Sequence, residues 1–347
     1  MKHTDLRKRM LSMAMALTML FAAGCSSTDS NKDKPAEEGT PSVQTSSLEK
    51  APVLEDTRPT EVKEATFTDL NGEEVTYDQN TRKIVALSGA GDLAAFGIRP
   101  SAVIVEENVK KSYPDFFDGV EILENTQPFN EEEIMRYEPE LILVYQMMEE
   151  PELERLRKIA PVIPLYREEF DFAKRLGYIG EIFGMKENAD ILIDYAEKTQ
   201  KAAVEQLQEL DITGKTVSMF YYMDGVAVPP TDFWYFNKIV YDYMGLSMPQ
   251  ITADHLNDPN VNPFTPISNE KIRDFEGDIV IYVDLMTDGE PKVPELLSSN
   301  PGWQMLDAVK EDRVCAIDGM LYAEKDVLYL YEQYTCLMDA FRQAVKA

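Results

Sequence analysis

Aromatic residues with polar tips follow several predicted strands of this chain, and their positions suggest a binding site. Tyr145 follows the apolar run ELILV, and Tyr221 and Tyr222 follow VSMF. The other candidates are Trp234 and Tyr235 in the segment DFWYF, Tyr322 after VCAID, and Arg167, the one clear base of the set. Each aromatic ring offers apolar area, and its polar tip offers one hydrogen bond, which suits a large amphipathic ligand. The pattern therefore predicts ligand contacts at the carboxyl ends of strands in both halves of the chain.

Histidine-based chemistry is disfavoured by the composition. The chain contains two histidines, His3 and His255, so it cannot build a histidine cluster for zinc or non-haem iron. The formal net charge of −28 argues against nucleic acid or an anionic membrane surface as the main partner. Carboxylate pairs identify nothing here, because 62 Asp and Glu residues make such pairs common. We predict a binding protein without catalytic residues, and an exported acidic hydrolase remains the alternative of another class.

A helix is predicted over residues 167–184, near the middle of the chain. Four apolar residues recur there at spacings of 4, 3 and 4, which puts them on one helical stripe: Phe172, Leu176, Ile179 and Phe183. Gly184 then stands where a left-handed C-terminal cap is expected. Elsewhere, Asn71-Gly72 between alternating apolar residues predicts a β-hairpin, and KIVALS at 83–88 predicts a buried strand.

Two pairs of segments repeat at similar offsets. Glu132–Leu143 reads EEIMRYEPELIL and Glu270–Ile281 reads EKIRDFEGDIVI, an offset of 138 residues. Residues 85–88 (VALS) match residues 217–220 (VSMF) at an offset of 132. Each copy of the longer repeat predicts a short helix followed by a buried strand, so the pattern favours an internal duplication.

The predicted fold class is therefore α/β, with two α/β lobes bridged by a single long α-helix. The N-terminal lobe is expected over 61–166, the connecting helix over 167–184 and the C-terminal lobe over 185–347. Each lobe would hold a mostly parallel sheet, and ligands bind beyond the carboxyl ends of parallel strands. We thus expect the ligand cleft between the lobes. GAGDLA follows the strand at 83–88 and resembles part of a dinucleotide-binding motif. That site is disfavoured because only about a dozen residues separate this strand from the next one, which leaves little room for the helix between them.

The N-terminus predicts an exported, lipid-anchored protein. Residues 1–24 combine a basic start with the apolar run Met10–Ala23, as in a signal peptide. The small residues before Cys25 resemble the lipobox of bacterial lipoproteins, in which the cysteine carries the lipid; an ordinary secretory signal is the alternative. Residues 25–60 are rich in Ser, Thr, Pro, Glu and Lys and predict a flexible linker. We expect the protein at the cell membrane, attached only through its lipid, on the extracytoplasmic face at the cell surface or in the periplasm.

From about residue 63 to the end, the chain resembles the helical-backbone (Fe/B12-type, class III) substrate-binding proteins of ABC importers. The matching pieces are FTDLNGEEVTY before RKIVALS, GDLAAFGIRPSAVI, NEEEIMRYEPELILV, LERLRKIAPVIPL and SNPGWQMLDAVKEDRVCAID. Their order and spacing, together with the lipobox, carry the resemblance. The family often has a proline just before the strand at 84, where this chain has Thr81-Arg82-Lys83. The family's binding domain would cover about 82–347.

The resemblance implies that the ligand is an iron–siderophore, haem or cobalamin. A tris-catecholate carries about three negative charges and would call for several bases, but tyrosines outnumber bases among the candidates. A near-neutral ferric hydroxamate is therefore favoured, with haem or cobalamin as the alternative. The siderophore itself saturates the iron, so we expect no cofactor and no metal ligand from the protein.

The resemblance also implies that one surface glutamate on each lobe docks onto arginines of a permease dimer. Matching this motif residue by residue gives Glu132 and Glu270, the two positions that the repeat superposes. Ordinary acids at a helix N-terminus are the compatible, simpler interpretation, since the helix dipole favours them there. The protein is expected to act as a monomer. Whether Cys315 and Cys336 pair or remain free thiols stays open.

Overall fold

Two parallel sheets organise the chain in the computed structural model. The structure describes residues 47–105, 107–126, 128–145, 148–165, 171–210, 212, 214–223, 226–228, 235–258, 262, 265–268, 270–284, 298–322 and 326–345. They belong to a compact unit that begins at Thr45. None of the described helices combines the length and the apolar content needed to cross a membrane.

The first lobe holds a five-stranded parallel sheet preceded by a hairpin. The hairpin strands are β1 (Glu64–Thr68) and β2 (Glu74–Asp78), and the sheet strands are β3 (Ile84–Ala86), β4 (Ala102–Val103), β5 (Glu121–Ile122), β6 (Leu141–Tyr145) and β7 (Val162–Leu165), in the order β5-β4-β3-β6-β7. The helices of this lobe are α1 (Ala90–Ala95), α2 (Glu107–Ser112), α3 (Pro114–Phe117), α4 (Glu131–Met135) and α5 (Glu150–Leu156). The predicted hairpin is confirmed, and Gly72 has the positive φ (81°) that its turn requires.

The second lobe holds a four-stranded sheet in the order β11-β10-β8-β9. Its strands are β8 (Val217–Met223), β9 (Val226–Val228), β10 (Ile279–Asp284) and β11 (Val314–Asp318), and only β9 runs antiparallel to its neighbour. Its α-helices are α8 (Tyr235–Asn237), α9 (Gln250–Leu256), α10 (Pro301–Gln304), α11 (Asp307–Lys310) and α12 (Leu330–Ala344). A π-helical segment covers Lys238–Tyr243, and 3-10 helices cover Ile272–Phe275, Gly319–Tyr322 and Val327–Tyr329.

Each of the two sheets contains the same arrangement of three parallel strands, as the internal repeat predicts. β3-β6-β7 and β8-β10-β11 are each fully parallel, and each longer repeat is a short helix followed by a buried strand. The offset of 132 for the shorter repeat is wrong by one residue. Val85 pairs with Ile142, whereas Val280, the repeat partner of Ile142, pairs with Ser218. An offset of 133 keeps each side chain on the same face, because successive residues of a strand face opposite ways.

Both sheets are buried on both faces, which accounts for their nearly continuous apolar sequences. Ile84 and Leu141 of the first sheet, and Val217 and Ile279 of the second, belong to one large core that runs through both lobes. The opposite faces have cores of their own, one beneath each sheet. The two lobes are therefore packed against shared apolar material as well as linked by the chain.

A helix is confirmed within the predicted span 167–184, of which residues 167–170 lie outside the described part of the chain, and a second, longer helix follows it. The first, α6 (Phe172–Phe183), begins after its N-cap Asp171 and ends at Gly184, whose left-handed φ of 65° confirms the predicted cap. The second, α7 (Lys186–Gln208), has 23 residues and is about 35 Å long. The long connecting helix is thus α7, inside the region predicted as C-terminal lobe. Its buried stripe is rich in alanine, which makes a weak apolar signal in the sequence.

The linker prediction for 25–60 is also wrong at its C-terminal end. Residues 47–58, here called the strap, form no regular secondary structure but pack onto the folded domain. Ala51 and Arg58 are buried, and Leu48 and Leu54 pack against the large core. The strap forms neither helix nor strand, so its sparse apolar residues have no periodic spacing by which the sequence could identify it.

Candidate functional site

The carboxyl ends of the strands in both lobes form the candidate ligand edge. In the first lobe, Tyr145 ends β6 and is half-buried. In the second lobe, β8, β10 and β11 run parallel, so the residues that end them lie along one edge. Asp284 at the end of β10 is buried and pairs in register with Tyr222 on one side and Asp318 on the other. Tyr222 lies beside Asp284 at this edge, and Tyr322 lies in the 3-10 helix that follows Asp318.

Tyr221 is a core residue, and its placement corrects its selection as a ligand contact. It is 1% exposed, and its hydroxyl donates to Asn237 Oδ1 at 2.9 Å. Burial raises the pKa of Tyr221 well above its usual value. The hydrogen bond links β8 to α8, so Tyr221 contributes to the packing beneath the candidate ligand edge and not to its surface. The alternation of side chains along β8 explains the error, because Tyr221 shares the face of the buried Met219.

The remaining ligand candidates lie wholly or partly outside the described residues. These are Arg167 and Trp234, together with the side chains of Tyr222, Tyr235 and Tyr322. Cys25 also lies outside them. Their roles therefore stay predictions.

A buried ion triad joins the two lobes next to this edge. Arg175 on α6 donates through Nε to Asp92 of the first lobe and through Nη2 to Asp326 Oδ1 of the second lobe, the latter at 2.7 Å. Gly91 N donates to Asp326 Oδ2 at 2.8 Å, and Val327 N donates to Asp92 Oδ1 at 3.2 Å. The segment that follows β3 therefore contacts the segment that follows β11.

The electrostatics of the triad are those of two carboxylates that share one guanidinium away from water. All three side chains are at least nine-tenths buried. Burial, reinforced by the nearby charge of Asp92, raises the pKa of Asp326 from 3.8 to about 7. Arg175 and two backbone N–H groups oppose this rise, because they stabilise the ionised carboxylate. Each carboxylate thus depends on donors from the opposite lobe or from α6.

The raised pKa of Asp326 predicts a specific pH dependence of stability. In the unfolded chain the carboxyl group has its ordinary pKa of about 3.8, whereas burial in the folded protein raises this pKa to about 7. The folded state then holds the extra proton, so this contribution to stability is lost as the pH rises towards 7, at up to about 1.4 kcal/mol per pH unit. We expect urea titrations between pH 5 and 8 to show this loss in the wild type and not in Asp326→Asn. Parallel pH profiles for the two proteins would contradict it.

The triad was missed in the sequence although a signal was present. Arg175 lies three residues after Phe172 and four before Ile179, so it occupies the apolar stripe of α6. A lone charged residue in such a stripe indicates a buried partner of opposite charge. Asp92 and Asp326 carry no comparable local signal, because both are identified only through the contact between the lobes.

Glu132 lies in the first turn of α4 and is the exposed, unengaged member of three consecutive glutamates. Glu131 forms an ion pair with Arg155 at 2.8 Å, and Glu133 lies 3.9 Å from Arg136. The side chain of Glu132 has no ion pair or hydrogen bond within the described part of the chain. The Asn130 side chain caps the helix by accepting from Glu133 N. Glu132 is therefore fixed in place by its backbone but available at the surface.

Glu270 occupies the matching place ahead of the 3-10 helix Ile272–Phe275. It is exposed, and among the described residues no partner for its carboxylate is found. A pocket of about 540 Å³ opens beside it, lined in part by Ser268 and Lys271. The two glutamates are therefore both exposed, and each precedes the middle strand of the three-strand arrangement that the lobes have in common, β6 or β10.

His255 and the cysteines lie apart from the ligand edge. The ring of His255 packs edge-on against Phe275 with 5.6 Å between centroids, beside residues that lead into β10, and burial lowers its pKa. No disulfide joins Cys315 to Cys336, which answers the question of their pairing. The buried Cys315 thiol donates to Ala340 O at 2.9 Å, and burial raises its pKa to about 12. The described residues contain no group of three or more His, Cys, Asp or Glu side chains arranged to hold a metal.

Comparison with known proteins agrees with this architecture. A curated relative, the iron(3+)-hydroxamate-binding protein YxeB of Bacillus subtilis (strain 168), is 26% identical over 221 residues. The alignment covers 61% of this chain, and the chain spans 65% of the length of that relative.

Two solved structures have the same fold. The FhuD protein from S. pseudintermedius matches with a TM-score of 0.65 at 19% identity, over 80% of this chain and 98% of that one. Staphylococcus aureus SirA complexed with staphyloferrin B matches with a TM-score of 0.63 at 18% identity, over 81% and 98%. These likenesses confirm the predicted fold of two α/β lobes with a long connecting helix. Residues 75–321 match the sequence profile described as periplasmic binding protein, so the chain belongs to the periplasmic binding protein family.

Proposed function

We propose that this protein captures a ferric siderophore outside the cytoplasm and delivers it to the permease of an ABC importer. The observation that carries the proposal is the similarity to a relative named for iron(3+)-hydroxamate binding. The family match across both lobes supports a role in binding rather than catalysis. The ligand would lie between the lobes, against the carboxyl ends of β6, β8, β10 and β11.

A near-neutral ferric hydroxamate fits this edge better than a tris-catecholate. Asp284 and Asp318 end neighbouring strands there, and Arg167 is the one clear base among the candidate ligand residues. A ligand with about three negative charges would call for several bases at this edge, which the candidate residues do not supply. Tyrosine hydroxyls can instead form hydrogen bonds with a neutral complex, and no charge has to be buried. The position of His255 ahead of β10 further disfavours haem ligation by histidine.

Docking on the permease is assigned to Glu132 and Glu270. Their exposure, their repeat-related positions and the engagement of both neighbours of Glu132 support this role. A carboxylate already paired with an arginine of its own chain would have to break that pair before it could dock. The lipid on Cys25 would hold the monomeric protein at the membrane near the permease.

A fluorescence titration tests the ligand class, because the chain has only two tryptophans. Trp303 is buried in the second lobe against Phe220, with 5.9 Å between ring centroids, whereas Trp234 is a ligand candidate. We expect a ferric hydroxamate to quench the fluorescence at sub-micromolar concentration, and the quenching to persist in Trp303→Phe.

The matched variant Trp234→Phe should lose most of the quenching while it still binds ligand. Ferric catecholate, haem and cobalamin complete the panel. If only haem or cobalamin quenched the fluorescence, that compound and not a siderophore would be the ligand. No quenching by any member of the panel would reject the proposed function.

A further inference from the structure

The strap, residues 47–58, crosses from one lobe to the other along the connecting helices. It lies outside the family match at 75–321 and within the segment 25–60 that was predicted to be a flexible linker. In the first lobe, Leu54 N donates to Ala95 O at 2.8 Å. Gly97 permits this approach, because a Cβ at that position would lie 2.1 Å from Leu54 O. The strap therefore lies backbone against backbone on the end of α1.

Asp56 and Arg58 anchor the strap in a buried side-chain unit. Arg58 is 2% exposed in its side chain and donates to both Asp56 oxygens, at 2.9 and 2.7 Å. It also donates to Thr81 O, and its guanidinium lies 5.7 Å from the Phe183 ring centroid. Burial alone would raise the pKa of Asp56, but the hydrogen bonds and charge of Arg58, helped by Arg82, leave this pKa below its usual value. The unit thus ties the strap to the first lobe and to the end of α6.

Along α7 the strap runs antiparallel to the helix. Thr57 Oγ1 donates to Asn188 Oδ1, and Asn188 Nδ2 donates to Glu55 O, both at 2.9 Å. Two turns further along the helix, Tyr195 OH donates to Glu49 O at 2.9 Å. The seven residues between these contacts correspond to about 10 Å of helix. Followed from Thr57 back to Glu49, the strap therefore runs along α7 away from the first lobe.

The strap reaches the second lobe at the start of α12. Lys50 Nζ lies 3.2 Å from Glu332 Oε1 and 5.8 Å from the Tyr331 ring centroid. Ala51 is 7% exposed and belongs to the core shared by both lobes. One segment of twelve residues therefore contacts the first lobe, both connecting helices and the second lobe.

We propose that the strap is a second connection between the lobes, and that it positions the ligand edge by fixing their relative placement. The argument about the ligand rests on the proposed function, but the argument about the lobes does not. The strap contacts the N-terminal half of α7 at Asn188 and Tyr195 and contacts one lobe at each of its own ends, so a change in the placement of the lobes would have to break these contacts. Its residues are positioning residues, since they act on the ligand through the lobes.

The test is a triple variant that removes contacts of the strap without removing the strap. Thr57→Val, Tyr195→Phe and Lys50→Met delete its hydroxyl bonds to α7 and its ion pair with the second lobe. The matched control carries Thr66→Val, Tyr241→Phe and Lys186→Met, which delete a hydroxyl pair in the hairpin, a bond to Val217 O and an exposed ion pair within α7. Each control change is of the same chemical kind and lies within one lobe or one helix.

Hydrogen exchange at two amides reports directly on the lobes. Gly91 N–H donates to Asp326 and Val327 N–H donates to Asp92, so both bonds cross between lobes. We expect the strap variant to exchange these two amides at least about tenfold faster than the control, and to bind ferric hydroxamate about fivefold more weakly. Exchange rates equal to those of the control would overturn the proposal, and so would faster exchange with unchanged affinity. If the wild type binds no ligand, the proposed function fails, while the two amides still decide whether the strap holds the lobes.

Discussion

Replacing Arg175 with methionine is expected to lower the free energy of unfolding by about 3–5 kcal/mol, because two buried carboxylates lose their shared cation. Both Asp92 and Asp326 are at least nine-tenths buried, and each accepts a hydrogen bond from this guanidinium. Methionine keeps much of the apolar stem but offers no donor. The Asp92 carboxylate would then be buried without a cation, and Asp326, whose pKa Arg175 lowers, would stay protonated to higher pH.

Urea denaturation at neutral pH measures this effect, with Lys186→Met as the control. Lys186 pairs with Asp190 on α7 at 2.8 Å, but the two side chains are 83% and 59% exposed. An exposed pair of this kind contributes less than about 1 kcal/mol. A loss in Arg175→Met as small as that of the control would show that the triad does not hold the lobes together.

Reversing the charge of both Glu132 and Glu270 is expected to reduce siderophore uptake by cells at least about tenfold, while the affinity for ligand changes less than about twofold. Under the proposed docking, each carboxylate would meet an arginine of the permease, and the lysine that replaces it would repel that arginine. Neither side chain has a partner among the described residues, so folding should be little affected. Uptake of ferric hydroxamate in cells and titration of the purified variant measure the two quantities separately.

The control for docking is Glu154→Lys combined with Glu197→Lys. These exposed glutamates lie on α5 and α7, and their reversal changes the net charge by the same amount. Uptake by the control should match the wild type. If the docking variant lost affinity in proportion to uptake, Glu132 and Glu270 would belong to the ligand site instead.

The elements that the sequence predicted correctly are those with local signals. Gly184 and the apolar stripe before it predicted α6 and its end, and Asn71-Gly72 predicted the hairpin. The internal repeat predicted the common strand core because buried parallel strands keep their apolar runs. Its register was wrong by one residue in β8, since neither VALS nor VSMF has the polar–apolar alternation that would fix a face.

The elements that the sequence did not predict depend on contacts between distant residues. The strap resembles a linker in composition, and its hydrogen bonds reach Asn188 and Tyr195 more than 130 residues away. The triad likewise joins Asp92 to Asp326 through α6. Tyr221 had the type and place of a ligand residue, but the side to which it points depends on the packing of β8 against α8. Sequence patterns therefore predicted the lobes better than they predicted how the lobes are held together.

Equilibrium dialysis of the mature chain against radiolabelled ferric hydroxamate tests the central claim most directly. We expect the iron to be retained at one complex per chain with sub-micromolar affinity, because the proposed site would bind the iron–siderophore complex as a whole. The same iron supplied without siderophore should pass freely. Retention of iron in the absence of siderophore, or no retention of the ferric hydroxamate, would contradict the account.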